Sequence, residues 1–293
     1  MSLPPSEIPL GAIRFNSNSQ KLEYWMGSAW MQIHTFSPNY DGGVRGFFIG
    51  GYNAEDWIDF ITISTQGNAT DFGNLTKGRA ETSALSNRTR GLVAGDAVPG
   101  SDDTIDVFTM STTVDAVDFG NLLSSTNNAQ GFGALANATR GIWGGGYQQS
   151  PVGQINVLQY VTINSNGNTV DFGDLEGNSG QFSGTTGGSS PTRGLWFGGG
   201  PSPGTTGNTK IQYVTIASTG NGQDFGERID IKGAGTTASN SVRIVYFHGQ
   251  TNLNSIEFVT TATLGNAVDF GDLSTARYLM VRGCVSTGHG GLG

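Results

Sequence analysis

The stretch VTINSNGNTVDFGDL, Val161 to Leu175, recurs in variant form five times along the chain. Its Asp-Phe-Gly stands at Asp71, Asp118, Asp171, Asp224 and Asp269, in steps of 47, 53, 53 and 45 residues. The segments before it align without gaps: ITISTQGNATDFG from Ile61, FTMSTTVDAVDFG from Phe108, VTIASTGNGQDFG from Val214 and VTTATLGNAVDFG from Val259. A repeat of this length decides the architecture, so every shorter motif is read inside it.

Each copy opens on an apolar-Thr-apolar alternation, the period of a strand with one buried face. A Gly/Asn-rich centre such as Asn166-Gly167 follows and predicts a tight hairpin turn. The Asp-Phe-Gly then falls in the return strand, with the Phe as its buried residue. A second anchor precedes each unit: VRGFFIGGY, TRGLVAGD, TRGIWGGGY, TRGLWFGGG and VRIVYFHGQ, with Arg45, Arg90, Arg140, Arg193 and Arg243. The apolar residues after each arginine read as a buried strand, and the glycines let the chain turn at its end. Between Asp-Phe-Gly and the next arginine lies a small-residue segment such as AQGFGALANAT, expected as a strand crowded near a central axis.

Four strands per repeat and no helical periodicity predict an all-β fold, a β-propeller of four-stranded blades. The period and the apolar strand ending in Gly-Gly resemble the kelch-type propeller over residues 39–293, with Asp-Phe-Gly standing where kelch repeats carry a tryptophan. Five copies predict five blades, with a poorly conforming sixth at the N-terminus as the competitor. The last repeat ends on a small-residue segment within ARYLMVRGCVSTGHG, expected to complete the first blade by strand exchange between the chain ends. Residues 1–38 form a separate β-hairpin module.

Spacing divides the repeat into a uniform and a variable part. The third-strand segment always begins ten residues before the aspartate, whereas its distance from the arginine is 16, 18, 21, 21 and 16 residues. The variable loops emerge on one face, which is the default binding surface of a rigid scaffold; drift at tolerant loop tips is the plain alternative. The candidate receptor-binding residues on that face are Tyr52, Trp57, Asp102, Asp103, Tyr147, Gln148, Gln149, Asn208 and Asn252.

Composition excludes several functions. With a net charge of −8 and 15 basic residues, no Lys/Arg cluster exists to neutralise phosphates, so nucleic acid is not an expected partner. No apolar run approaches ~18 residues, so membrane insertion is not expected either. The N-terminus carries no basic head followed by an apolar run, so no secretory signal is expected. Asp-Phe-Gly holds magnesium in protein kinases, but the glycine-rich loop, strand lysine and His-Arg-Asp loop of that family are missing. The repeated aspartates read as structural, bonded to backbone amides or to the recurring arginines, rather than as a cation ring. His34, His248 and His289 stand far apart and Cys284 is alone, so no metal site and no cofactor are expected. No serine triad or selected carboxylate pair is visible, so the chain reads as non-enzymatic.

The first forty residues contain PLGAIRFNSNSQKLEYWMGSAWMQIHTF: two strands around a turn at Ser17–Gln20, and a third opening at Trp30. Gly11 to Asn16, Leu22 to Trp25 and Gly27 to Trp30 resemble a module of tail-fibre and other structural proteins of tailed bacteriophages, marine and cyanobacterial ones above all. The Asp-Phe-Gly repeats are similar to those of such phage proteins as well. The resemblance implies a virion protein made in the host cytoplasm. Phe15, Tyr24, Trp25 and Trp30 would serve attachment to other virion proteins or homo-oligomerisation, with a trimer favoured, because a hairpin this small is marginal alone. It further implies a fibre or adhesin whose loop face binds a host surface polysaccharide or protein. A passive head or tail decoration protein and a carbohydrate-active enzyme are the alternatives.

Overall fold

A computed structural model describes residues 8–16, 21–33, 45–51, 53–96, 103–123, 129–149, 152–177, 185–199, 208–231, 235–248 and 254–274. All regular structure among them is β, in small antiparallel sheets. The chain divides into two compact units, residues 1–40 and 41–293.

The first unit holds a three-stranded sheet of β1 (Ile13–Asn16), β2 (Lys21–Trp25) and β3 (Trp30–Gln32). In the second unit each repeat makes one main sheet. Sheet 1 contains β4 (Arg45–Ile49), β5 (Trp57–Thr62) and β6 (Thr70–Asn74). Sheet 2 contains β7 (Ser83–Ser86), β8 (Arg90–Ala94), β9 (Thr104–Thr109) and β10 (Val117–Asn121). The third repeat first contributes β11 (Ala129–Gln130). Then come β12 (Gly133–Ala136), β13 (Arg140–Gly144), β14 (Tyr147–Gln149), β15 (Val152–Gln154), β16 (Val157–Thr162) and β17 (Val170–Asp174). Sheet 3 is β12-β13-β16-β17, and β11-β14-β15 form a small sheet of their own. Sheet 4 runs β18 (Thr186–Ser189), β19 (Arg193–Phe197), β20 (Lys210–Thr215) and β21 (Gln223–Glu227). Sheet 5 runs β22 (Gly235–Ser239), β23 (Arg243–His248), β24 (Ser255–Thr260) and β25 (Val268–Asp272). The C-terminal segment expected to complete the first blade, Cys284 included, lies outside the described residues, as does the Ser17–Gln20 turn.

The small-residue strands are crowded, as their composition demands. β7, β12, β18 and β22 pack in succession, one from each of sheets 2 to 5. Ser83 Oγ donates to the Phe132 carbonyl at 2.8 Å, Ser189 Oγ to Ala136 at 2.8 Å and Thr237 Oγ1 to Gly187 at 2.6 Å. Trp143 and Trp196 are buried and donate their indole N–H groups to the carbonyls of Ser83 and Gly133, so each large ring ends on a bond to the preceding sheet.

Asp-Phe-Gly is a β-bulge. Register shifts between strands three and four wherever the tripeptide falls, with Phe172 the extra residue between Asp171 and Gly173 in sheet 3. The aspartate Oδ1 accepts from the glycine N–H two residues on, at 2.9–3.2 Å in all five copies. This answers where the aspartates point: each holds its own bulge closed.

The Gly/Asn-rich centre departs from the hairpin reading. β16 ends at Thr162 in a tight turn, with Ser165 N–H on the Thr162 carbonyl at 3.0 Å. The chain then leaves its own sheet and runs beside the last strand of the sheet before it. Gly167 N–H donates to the Phe119 carbonyl and Thr169 N–H to Asn121, both at 2.8 Å, while Asn168 Oδ1 accepts from Asn121 N–H at 3.0 Å. Local composition specifies a turn, and the segment after it satisfies its backbone groups on β10 rather than on its own sheet.

The same joint recurs between every successive pair of sheets. First, the anchor arginine donates to a carbonyl of the following repeat: Arg45 to Met110, Arg90 to Ile163, Arg140 to Ile216 and Arg193 to Thr261, at 2.7–3.2 Å. Second, Asp115, Asn168, Asn221 and Asn266 accept from the backbone N–H after the preceding bulge. Third, a side chain of the third strand accepts from the N–H three residues past the bulge glycine. Asp106 takes Thr76, Gln159 takes Leu123, Gln212 takes Glu176 and Glu257 takes Ile229. Last, Phe72, Phe119, Phe172 and Phe225 are buried under it, each contributing about 1.5–3 kcal/mol.

A candidate binding face and an apolar N-terminal sheet

Strand order places every loop between strands two and three at one end of its sheet, together with the segment after Asp-Phe-Gly. The anchor arginines start strand two at the opposite end. Glycine makes the turn into the variable loops: Gly145 and Gly146 have φ of +70° and +104°, left-handed conformations that a side chain would strain.

Of the candidate residues, Tyr52, Asp102, Asn252 and the Gln149 side chain lie outside what the structure describes. Asp103, just before β9, is half-buried and its carbonyl accepts from Leu122 N–H. Asn208 is engaged in its own loop: Oδ1 accepts from Lys210 N–H at 2.9 Å and its carbonyl accepts from the Arg228 guanidinium at 2.6 Å. Trp57 is 63% exposed. It shares a face of β5 with Asp59 by strand alternation. It therefore belongs to the uncovered side of sheet 1 rather than to a loop tip.

The third-repeat insertion YQQSPVGQ is not an irregular loop. Tyr147 pairs with Gln154 and Gln148 with Gly153 in a β14–β15 hairpin, and β14 pairs in turn with β11 through Gln130 and Ala129. Tyr147 is half-buried and Gln148 only 6% exposed, so the hairpin is a packed platform whose inner face is already used. Ile155 N–H donates to the Gly146 carbonyl at 3.2 Å, which holds the two ends of the insertion together.

Beneath the loop end lie charges that the motif reading missed. Arg79 and Asp106 are fully buried, 3.4 Å apart, with Arg79 also donating to the Thr104 carbonyl at 2.9 Å. His248 and Glu257 form a second buried pair at 3.3 Å. The Tyr246 ring meets His248 edge-on at 5.0 Å, and the Arg228 guanidinium sits 4.8 Å over the same ring. Burial pushes the Tyr246 hydroxyl up from its ordinary range, with Arg228 pulling the other way. The available signal was a charged residue inside an otherwise apolar strand, at one repeated position: Asp59, Asp106 and Glu257, with Gln159 and Gln212 as neutral versions. Among the described residues, no group of three or more His, Cys, Asp or Glu side chains is placed to hold a metal, and no helix is long and apolar enough to cross a membrane.

The N-terminal sheet separates its aromatics by face. Trp25 and Trp30 are cross-strand partners with ring centroids 5.4 Å apart, and the Arg14 guanidinium lies 4.1 Å over Trp30. On the same face Asn16 donates to Glu23 at 2.9 Å and holds its carboxyl below the usual range; burial opposes this, and Arg14, bonded at 2.9 Å, adds to it. The tryptophans thus form the module's own packing. Phe15, 62% exposed, and Tyr24 lie on the other face. The pairings Ile13–Tyr24, Phe15–Leu22 and Tyr24–Met31 bring five exposed apolar side chains together there. Ile13, Leu22 and Met31 are the members that an aromatic-centred reading overlooks.

Comparison of the sequence with known protein families and with curated proteins finds no match to either.

Proposed function

We propose that this chain is a tailed-phage virion component, a fibre or adhesin that offers the loop end of a five-bladed propeller to a host surface glycan or protein. The observation that carries the reading is the contrast between the two ends of the repeat. Four inter-sheet joints repeat the same side-chain bonds, while all length variation, including the β14–β15 hairpin, collects at one end. A scaffold held this constant with one elaborated end is the design of a recognition surface. The successive packing of β7, β12, β18 and β22 supports blades arranged about an axis. The phage-like N-terminal segment supports the virion setting, and its apolar face of Ile13, Phe15, Leu22, Tyr24 and Met31 supports attachment or trimerisation there. Several weak contacts per copy, multiplied by copy number, give avidity without a deep pocket.

The test is binding of the full chain, multimerised on beads, to host cells and to purified envelope polysaccharide. A variant joining Gly146 directly to Ile155 removes Tyr147–Gln154, whose ends are already bonded. Retention by cells, reduced several-fold in that variant while it still unfolds in one cooperative transition, is the expected result. No retention of the multimerised chain on any host surface would sink the adhesin reading. Shortening of the polysaccharide during incubation would replace it with an enzyme.

A further inference from the structure

Four joints fasten five sheets, and the parts of a fifth stand unused at the two ends. On sheet 5, Phe270 is 52% exposed, whereas its four counterparts are buried. A Cβ at Gly271 would meet open space, whereas at Gly73, Gly120, Gly173 and Gly226 it would strike the next repeat. Arg243 lies over Phe258, and its guanidinium reaches no carbonyl among the described residues. On sheet 1, Phe48 is 55% exposed, whereas Val93, Trp143, Trp196 and Tyr246 at the same position are buried. Ile63 is exposed, whereas Ile163, Ile216 and Thr261 are buried. The side chains of Asp59 and Asn68, at the positions that accept hydrogen bonds in every other joint, have no partner among the described residues.

We infer that sheet 5 takes sheet 1 of the same chain through a fifth copy of the joint. Repeat positions fix the pairing. Arg243 donates to the Ile63 carbonyl, Asn68 accepts from Asp272 N–H, and Asp59 accepts from Ser274 N–H. Phe270 is covered by Ile61, Ile63 and Phe48. The donor and acceptor faces differ, so pairing between copies would leave an unmatched face on each chain added unless a larger ring closed. Within one chain the mate is tethered, at an effective concentration on the order of millimolar. The inference rests on the propeller reading above and specifies the contacts that close it.

A cysteine pair tests it. Asn68→Cys with Asp272→Cys, in a chain whose native Cys284 is replaced by serine, is oxidised mildly and resolved by non-reducing electrophoresis and peptide mass mapping. Asn168→Cys with Asn121→Cys, across an existing joint, is the reference. A disulfide inside the monomer for both pairs is the expected result. A ladder of covalent oligomers from the 68/272 pair would give the site to a second copy and overturn the inference, as would no disulfide there while the reference pair forms. Failure of both pairs would reject the joint itself, and the propeller with it.

Discussion

At the scale of single residues, Asp-Phe-Gly is a three-part fastening. The aspartate closes the bulge on its own glycine N–H in all five copies; in the first four the phenylalanine is buried between sheets and the missing Cβ of the glycine admits the backbone of the next repeat. A Cβ on Gly120 would overlap the Gly167 carbonyl, and backbone on both sides leaves no rotamer by which to escape. Gly120→Ala is therefore expected to cost about 1–3 kcal/mol, read by urea denaturation. Gly167→Ala, at φ +157° with open space around it, carries the backbone strain without the overlap and serves as the comparison. Equal stability of the two variants would remove the close approach from the account. This role was half legible in the sequence. Repetition alone argued that the tripeptide is structural, and the buried Phe followed from alternation. That the glycine serves a neighbouring repeat was not legible, because the atom it must avoid lies 47 residues away along the chain.

At the scale of elements, strands were easier to place than the segments between them. Periodicity marks a strand because its own side chains are sorted by one sheet. In repeats two to five the Gly/Asn segment finds its hydrogen-bond partners on the preceding sheet, and β14 finds its partner in β11; neither partner is visible in local composition. The charged residue of the third strand shows what long-range partners can demand. Asp106 accepts from Thr76 N–H at 3.1 Å and lies against Arg79, with both side chains out of water. In sheets 3 and 4, Gln159 and Gln212 make the same backbone bond without a charge. The carboxylate is thus required by Arg79, not by the joint. Asp106→Asn should keep the Thr76 bond yet leave a buried guanidinium uncompensated, at a cost of about 3–5 kcal/mol. Adding Arg79→Met should recover most of that loss. Thermal denaturation of the two single variants and the double gives the coupling; strictly additive losses would show that the pair is not a unit.

At the scale of the whole molecule, stability of a repeat protein is a sum of sheet and joint contributions, so what one joint holds depends on whether a second path connects the same sheets. Arg140→Met removes the bond to the Ile216 carbonyl and the stacking on Tyr160, while Gln212→Leu removes the bond to Glu176 N–H. Each lost bond weakens the joint between sheets 3 and 4 by about 1 kcal/mol, with the orphaned amide adding to the loss. In an open row this joint alone couples sheets 1–3 to sheets 4–5, and the two groups are free to melt separately once it fails. With the fifth joint made, the groups stay coupled through sheets 5 and 1, and the doubly substituted protein should still melt in one transition, shifted down by several degrees. Adding Arg243→Met and Asp59→Leu to the same protein weakens both paths at once, and only then should calorimetry resolve two transitions. Two transitions from the first pair of substitutions alone would mean that the row is open in solution, and the loop end of the molecule would then be an arc rather than a ring.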